Sequence, residues 1–299
     1  ASTVALAQID SVFVEKFYVS NAADAAGSVG ALPVGSVTWR FYIDLAPGHE
    51  LQAVYGNSAH QLRFQTTTGF FNNEDRGAET ANAIGASFLD DNTVYLDSYI
   101  SVGAVGANRL GIPKVEDNTT NNIPFTLLQN ADPSAGFPLT QRDGANATAV
   151  TVDAVTAVNI ATELAVFNNV SNAGNLFQTS NGSWANLNGS EGPNATNRVL
   201  IAQITTDGVL TYELNVQVRN TTTLQVFNYV ASSPGAGETT ISGLTGTLNQ
   251  PNTLPTVSLT APTNGASFFV GNTVTISANA ADADGSVSQV EFLVDGTVV

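Results

Sequence analysis

The stretch Ser36-Val37-Thr38-Trp39-Arg40-Phe41-Tyr42-Ile43-Asp44-Leu45 (SVTWRFYIDL) is dense in β-branched and aromatic side chains. Such residues lose rotamer freedom in a helix and pack well on a pleated surface, so the stretch reads as a strand. Outward from it the same texture recurs at 12–19 (VFVEKFYV), 50–55, 61–67, 93–102, 198–205, 209–218 and 223–230. Gly, Pro, Asn and Asp clusters separate these runs, among them Ala46-Pro47-Gly48, Asp132-Pro133 and Asp207-Gly208. Period-two runs with turn punctuation and no βαβ alternation predict an all-β chain built on a large β-sandwich or jelly-roll-like domain. The runs 201–205 and 210–218, flanking Thr206-Asp207-Gly208, predict a hairpin with Gly208 at the positive φ of a tight turn. One stretch, 154–167 (AVTAVNIATELAVF), spaces its apolar residues irregularly and fits helix or strand.

Composition narrows the function. The 299 residues suffice for one large domain or two ordinary ones. Hydrophobic residues at 43% exclude disorder, and charged residues at only 11% leave the polar surface to Asn, Thr, Ser, Gln and Gly. That balance is common in extracellular β-proteins. Nine basic against 25 acidic residues give a net charge of −16. A field of that sign repels phosphate backbones and anionic lipid, excluding nucleic acid as a partner, and it suits divalent cations. The absence of Cys removes disulfides, thiolate metal sites and a Cys nucleophile, so stability must come from core area. No run reaches the length of a membrane span. Residues 1–8 (ASTVALAQ) lack the basic start and apolar run of a complete signal peptide, and the missing initiator Met suggests a processed start.

A boundary falls at 246–255 (GTLNQPNTLP), where two prolines and polar residues mark an extended linker. The expected organisation is a β-sandwich domain at 1–246, a linker at 247–255 and a smaller module at 256–299. The last segment carries Pro255-Thr256-Val257-Ser258-Leu259, Ala261-Pro262, Gly271-Asn272-Thr273-Val274-Thr275-Ile276, Asp282-Ala283-Asp284-Gly285-Ser286 and Val290-Glu291-Phe292-Leu293-Val294-Asp295-Gly296. On these residues it resembles the immunoglobulin-like modules of bacterial surface proteins. That resemblance implies a β-sandwich serving as a spacer, adhesive unit or carbohydrate-binding unit. A full immunoglobulin-like sandwich needs about 100 residues and seven strands. Residues 255–299 cover a partial module, whose apolar face and strand edges would be open. Either the chain continues beyond Val299, or a neighbouring subunit supplies strands. The first domain has Leu51-Gln52-Ala53-Val54-Tyr55-Gly56-Asn57, Asn197-Arg198-Val199-Leu200-Ile201-Ala202-Gln203-Ile204 and Tyr212-Glu213-Leu214-Asn215-Val216-Gln217. There it resembles uncharacterised secreted proteins of Bacteroidetes, a likeness that implies no activity.

Catalytic patterns are missing from the sequence. There is no G-x-S-x-G elbow and no H-E-x-x-H spacing, and His49 and His60 read as exposed turn residues. Glu74-Asp75, Asp90-Asp91 and Glu116-Asp117 are neighbouring carboxylates in polar loops, whereas glycoside hydrolysis sets its pair across the scissile bond. The expectation is a non-enzyme with no catalytic residues. Calcium is the better use for the acidic loops, because hard cations collect oxygen ligands from Asp, Glu, Asn and carbonyls. The candidate ligands are Asn72, Glu74 and Asp75 in one loop, Asp90 and Asp91 in a second, and Asp282 and Asp284 in the last module. Asp10-Ser11-Val12 resembles the O-glycosylation triplet of Bacteroidetes and nominates Ser11. The expected protein is an extracellular, structural or adhesive subunit of a filament, sheath or layer, joined to copies of itself through strand edges. The alternatives are a carbohydrate-binding adhesin, with Trp39, Trp184 or an exposed Tyr as the sugar platform, and a calcium-assisted hydrolase.

Overall fold

The computed structural model describes residues 8–85, 88, 91, 93–103, 111–113, 116, 154–170, 174–192, 195–248, 256–281, 287 and 289–298. The chain divides into two compact units, Ala1–Gln250 and Pro251–Val299. It is all-β. In chain order the first unit contains β1 (Ile9–Val19), α1 (Ala22–Gly27), β2 (Val37–Leu45), β3 (His49–Gly56), β4 (Leu62–Thr66), β5 (Tyr99–Ile100), β6 (Thr156–Val158), β7 (Leu176–Thr179), β8 (Gly182–Ala185), β9 (Arg198–Thr206), β10 (Leu210–Glu213), β11 (Val216–Asn220), β12 (Val226–Tyr229), β13 (Glu238–Thr239) and β14 (Thr245–Leu248). The second contains β15 (Thr256–Ala261), β16 (Ser277–Ala281), β17 (Leu293–Val294) and β18 (Thr297–Val298). Thr247 and Leu248, read from sequence as the start of the linker, pair with Thr211 and Leu210 in β10.

The first sheet has the order β1-β2-β9-β5. The second is β14-β10-β4-β7 and the third β13-β12-β11-β3-β8-β6. These last two are halves of one interrupted sheet. The row β10-β4-β7 continues as β11-β3-β8, each strand paired in the same order on both sides of a break. Leu210 and Glu213 face Thr66 and Arg63; Val216 and Asn220 face Val54 and His49. The break lies at residues 57–61, 180–181 and 214–215. Asn215 closes it. Its Nδ2 donates to the carbonyls of Tyr55 (3.0 Å) and Gln61 (2.9 Å), and its Oδ1 accepts from Ala231 N–H at 3.0 Å. Buried backbone groups released by a broken ladder would otherwise stay unpaired, at a cost of about 1–3 kcal/mol each. Gly56 lies tight against the Thr179 carbonyl and Gly182 against Ile160, so neither position has room for a Cβ.

The layers meet through aromatic side chains. Phe41 of β2 packs edge-on against Phe64 and Tyr212, at 5.0 Å from each. The row continues from Phe64 through Phe177 to Trp184, whose indole N–H donates to Ser101 O at 3.0 Å. Alternation puts Thr38, Arg40 and Tyr42 on the opposite face of β2. That face is also buried, because residues 93–102 cover it. Sequence predicts a strand there. The structure has a 3-10 turn at Val94–Leu96 and only the two-residue β5. Three of its carbonyls are satisfied by side chains of the sheet below. Gln203 donates to the carbonyls of Tyr95 (3.1 Å) and Asp97 (2.7 Å), and the Thr205 hydroxyl donates to Leu96 O. Arg40 anchors Gln203 at 2.7 Å, with its guanidinium 3.6 Å from the centre of the Phe17 ring. Donors supplied from below make an irregular covering segment as acceptable as a ladder.

Other local expectations are corrected. The 201–218 hairpin does not form: β9 pairs with β2 and β5, while β10 pairs with β4 and β14. The chain crosses between layers at Asp207-Gly208. Gly208 is not among the positive-φ residues; a Cβ there would strike the hydroxyls of Thr66, Thr67 and Thr68. The stretch 154–167 resolves into both alternatives, strand β6 and a 3-10 turn at Glu163–Phe167. The short α1 is started by Asn21, whose side chain accepts from Ala23 and Asp24 N–H while Asp24 accepts back from Asn21 N–H.

In the second unit β15 pairs with β16, and β17 with β18. The β17–β18 turn holds Asp295 at φ 50° and Gly296 at φ 81°, as Asp-Gly hairpin chemistry dictates. Residues 268–270 form no strand, and of residues 289–294 only Leu293–Val294 are in one. Among the described residues no second layer covers these segments, and Phe269 stands 86% exposed.

Candidate functional site

The acidic loop after β4 is organised from within. Asn72 is buried, and its Nδ2 donates to the carbonyls of Val166 (2.8 Å) and Val170 (3.2 Å). Asn73 caps a turn by accepting from Asp75 and Arg76 N–H and donates to Thr93 Oγ1 at 2.8 Å. Beneath the turn lies Asp97, fully buried, its two oxygens accepting from Asn73 N–H (2.8 Å) and Ala78 N–H (2.7 Å). Burial pushes the Asp97 carboxyl up to about 8, against the opposing pull of those N–H groups and that of Ser98. Gly77 packs against both Asp97 oxygens and leaves no space for a side chain.

A cleft of about 220 Å³ above this turn is lined by Asn73, Asp75, Arg76, Asp91 and Thr93. The fold therefore brings Asp75 and Asp91, from two separate loops, to one place. Asn72 and Glu74 do not line it: Asn72 is spent inward and Glu74 is exposed. Asp75 pairs with Arg76 at 2.9 Å, and Arg76 lies 3.9 Å from the centre of the Phe88 ring. Calcium takes six to eight oxygens. A cation here would find two carboxylates and would have to displace a guanidinium. Among the described residues no three His, Asp or Glu side chains are grouped to hold a metal. Asp90, Asp282 and Asp284 lie outside the described residues. Ser11, on β1, donates to Asp44 Oδ2 at 3.3 Å, and Asp44 also receives Arg198 at 3.1 Å.

Sequence reasoning missed Asp97 and misplaced His60. The signal for Asp97 was the polar pair Asp97-Ser98 inside an apolar run, which breaks strand alternation. His60 is buried, with Nε2 2.8 Å from Glu238 Oε2. Glu238 also accepts from Gly235 N–H at 2.7 Å, and these partners hold its carboxyl below the usual range. Trp39 and Trp184 are both buried, so neither offers a sugar platform. Glu116 is engaged by Arg198 (2.6 Å) and Thr196 (2.7 Å); Asp117 lies outside the described residues.

The second unit presents a different kind of site. Val257 and Leu259 of β15, Val274, Ile276, Ala278 of β16 and Phe292 line one open apolar groove of about 640 Å³. Val257 is 66% and Leu259 59% exposed. β15 and β16 pair only with each other among the described residues, as do β17 and β18, so every strand keeps a free edge.

Residues 255–299 match the bacterial Ig domain family. The C-terminal segment is a bacterial immunoglobulin-like module, the class of module found on bacterial surface and adhesive proteins. No curated protein and no solved structure matches the chain. Among the described residues no helix is long and apolar enough to cross a membrane, which leaves β-barrels unaddressed.

Proposed function

We propose that this is an extracellular structural or adhesive protein, not an enzyme, whose copies assemble at the bacterial surface through strand edges and the apolar face of the immunoglobulin-like module. The exposed row Val257, Leu259, Val274 carries this reading. A contiguous apolar patch with unpaired strand edges is a template for pairing with another chain. A second copy supplies the same chemistry and an equally open edge. The first unit supports a scaffold role: its carboxylate loops are tied into turns and ion pairs, and its aromatic residues are spent on the core. The test is light scattering and negative-stain microscopy across a concentration series. Concentration-dependent growth into regular assemblies, abolished by Leu259→Asp, is the expected result. A monodisperse monomer at every concentration would overturn the reading.

A further inference from the structure

The break in the interrupted sheet opens onto a polar basin of about 290 Å³. Its floor is Asn215, whose amide is wholly committed to the backbone at the break. Around the rim stand Ser58, Gln61, Ser180 and Ser232, all exposed, and none makes a side-chain hydrogen bond to another described residue. The turn that carries Ser58 is held by Asn57 Oδ1, which accepts from Ala59 and His60 N–H at 2.8 Å each. The charged groups of the wall are already matched: Glu213 by Arg63 at 2.7 Å, and His60 by Glu238 at 2.8 Å.

We infer that this basin binds a neutral, polyhydroxylated ligand, the terminal sugar ring of a surface glycan. Serine hydroxyls and a glutamine amide both donate and accept, and they suit the mixed donor–acceptor character of sugar hydroxyls. An ionic ligand would have to open one of two internal ion pairs. An anionic glycan would also approach a chain of net charge −16. The only apolar residues on the lining are Ala59 and Ala231, which gives an apolar ligand little to bury against. With both tryptophans inside the core, recognition here rests on hydrogen bonds rather than on stacking. The rim residues come from three connections between strands of the two half-sheets, 57–61, 180–181 and the one after β12, so the groups are held in place before a ligand arrives.

The inference stands apart from the assembly reading, because the basin belongs to the first unit. The test applies the full chain to an array of neutral hexose- and N-acetylhexosamine-terminated oligosaccharides beside sialylated and sulfated ones. Retention of neutral glycans is expected, with Gln61→Ala and Ser180→Ala each weakening it about fivefold. Leu259→Asp, which blocks assembly, should leave binding by the isolated chain unchanged. Both rim residues are exposed, so the circular dichroism of the variants should match that of the parent. Absence of any neutral-glycan retention, preference for the sialylated or sulfated set, or parental binding by the Gln61→Ala/Ser180→Ala double variant would each overturn it.

Discussion

The two units use the same raw material to opposite effect. In the first, β2 buries both its faces: Phe41 meets Phe64 and Tyr212 on one side, and Arg40 meets Gln203 beneath residues 93–102 on the other. In the second, β15 alternates just as regularly, yet Val257 and Leu259 lie open. Alternation specifies a face; only a second layer turns that face into a core. The first unit also accepts polar and charged groups inside because groups such as Arg40, Asp97, Gln203 and Asn215 are given partners, whereas the second unit hides almost nothing and needs no such network.

The contrast can be broken most forcefully by truncating an apolar side chain on the packed side. Phe41→Ala removes ring contacts at the layer interface and should cost about 3–5 kcal/mol of unfolding free energy in a urea titration. A loss below about 1 kcal/mol would mean that the two layers are not packed as described. A middle-sized effect concerns the buried carboxyl of Asp97. Its folded value near 8 lies above its ordinary 3.8, so between those pH values the native state holds a proton that the unfolded chain has released. Stability from this group is therefore full below about pH 4 and drains away as pH rises through 8, by at most about 1.4 kcal/mol per pH unit. Thermal melts from pH 4 to 8 should show this slope in the parent and a flatter one in Asp97→Asn. The smallest effect sharpens the contrast from the open side. Leu259→Ala should change stability by no more than about 0.5 kcal/mol while lowering the binding of an apolar fluorescent dye.

Much of the architecture was legible in the residues. The strand textures at 12–19, 36–45, 50–55, 61–67 and 198–205 correspond to β1, β2, β3, β4 and β9 with small shifts at their ends. The Asp295-Gly296 turn followed from its dipeptide alone. What escaped was decided at long range. Residues 93–102 have strand composition, but Gln203 and Thr205, about a hundred residues later, pair their peptide groups differently. Asp207-Gly208 has hairpin composition, but β9 already has β2 and β5 as neighbours, so the chain must change layers. The candidate site was half legible. The acidic loops were visible as composition, while the convergence of Asp75 and Asp91, the inward commitment of Asn72 and the pairing of His60 with Glu238 depend on topology.

The pairing order of the first sheet bears on biogenesis. β2 is flanked by β1 and β9, and β9 in turn recruits β5, so the middle of the layer is completed by a segment translated roughly 150 residues after its neighbour. Such wide separations between partners slow folding, because loop-closure entropy is spent before the contacts reward it. A nascent chain that has emerged only as far as β8 cannot complete its central sheet. The strand pair β1–β2 can form early, but the layer closes only when Arg198–Thr206 arrives between β2 and β5.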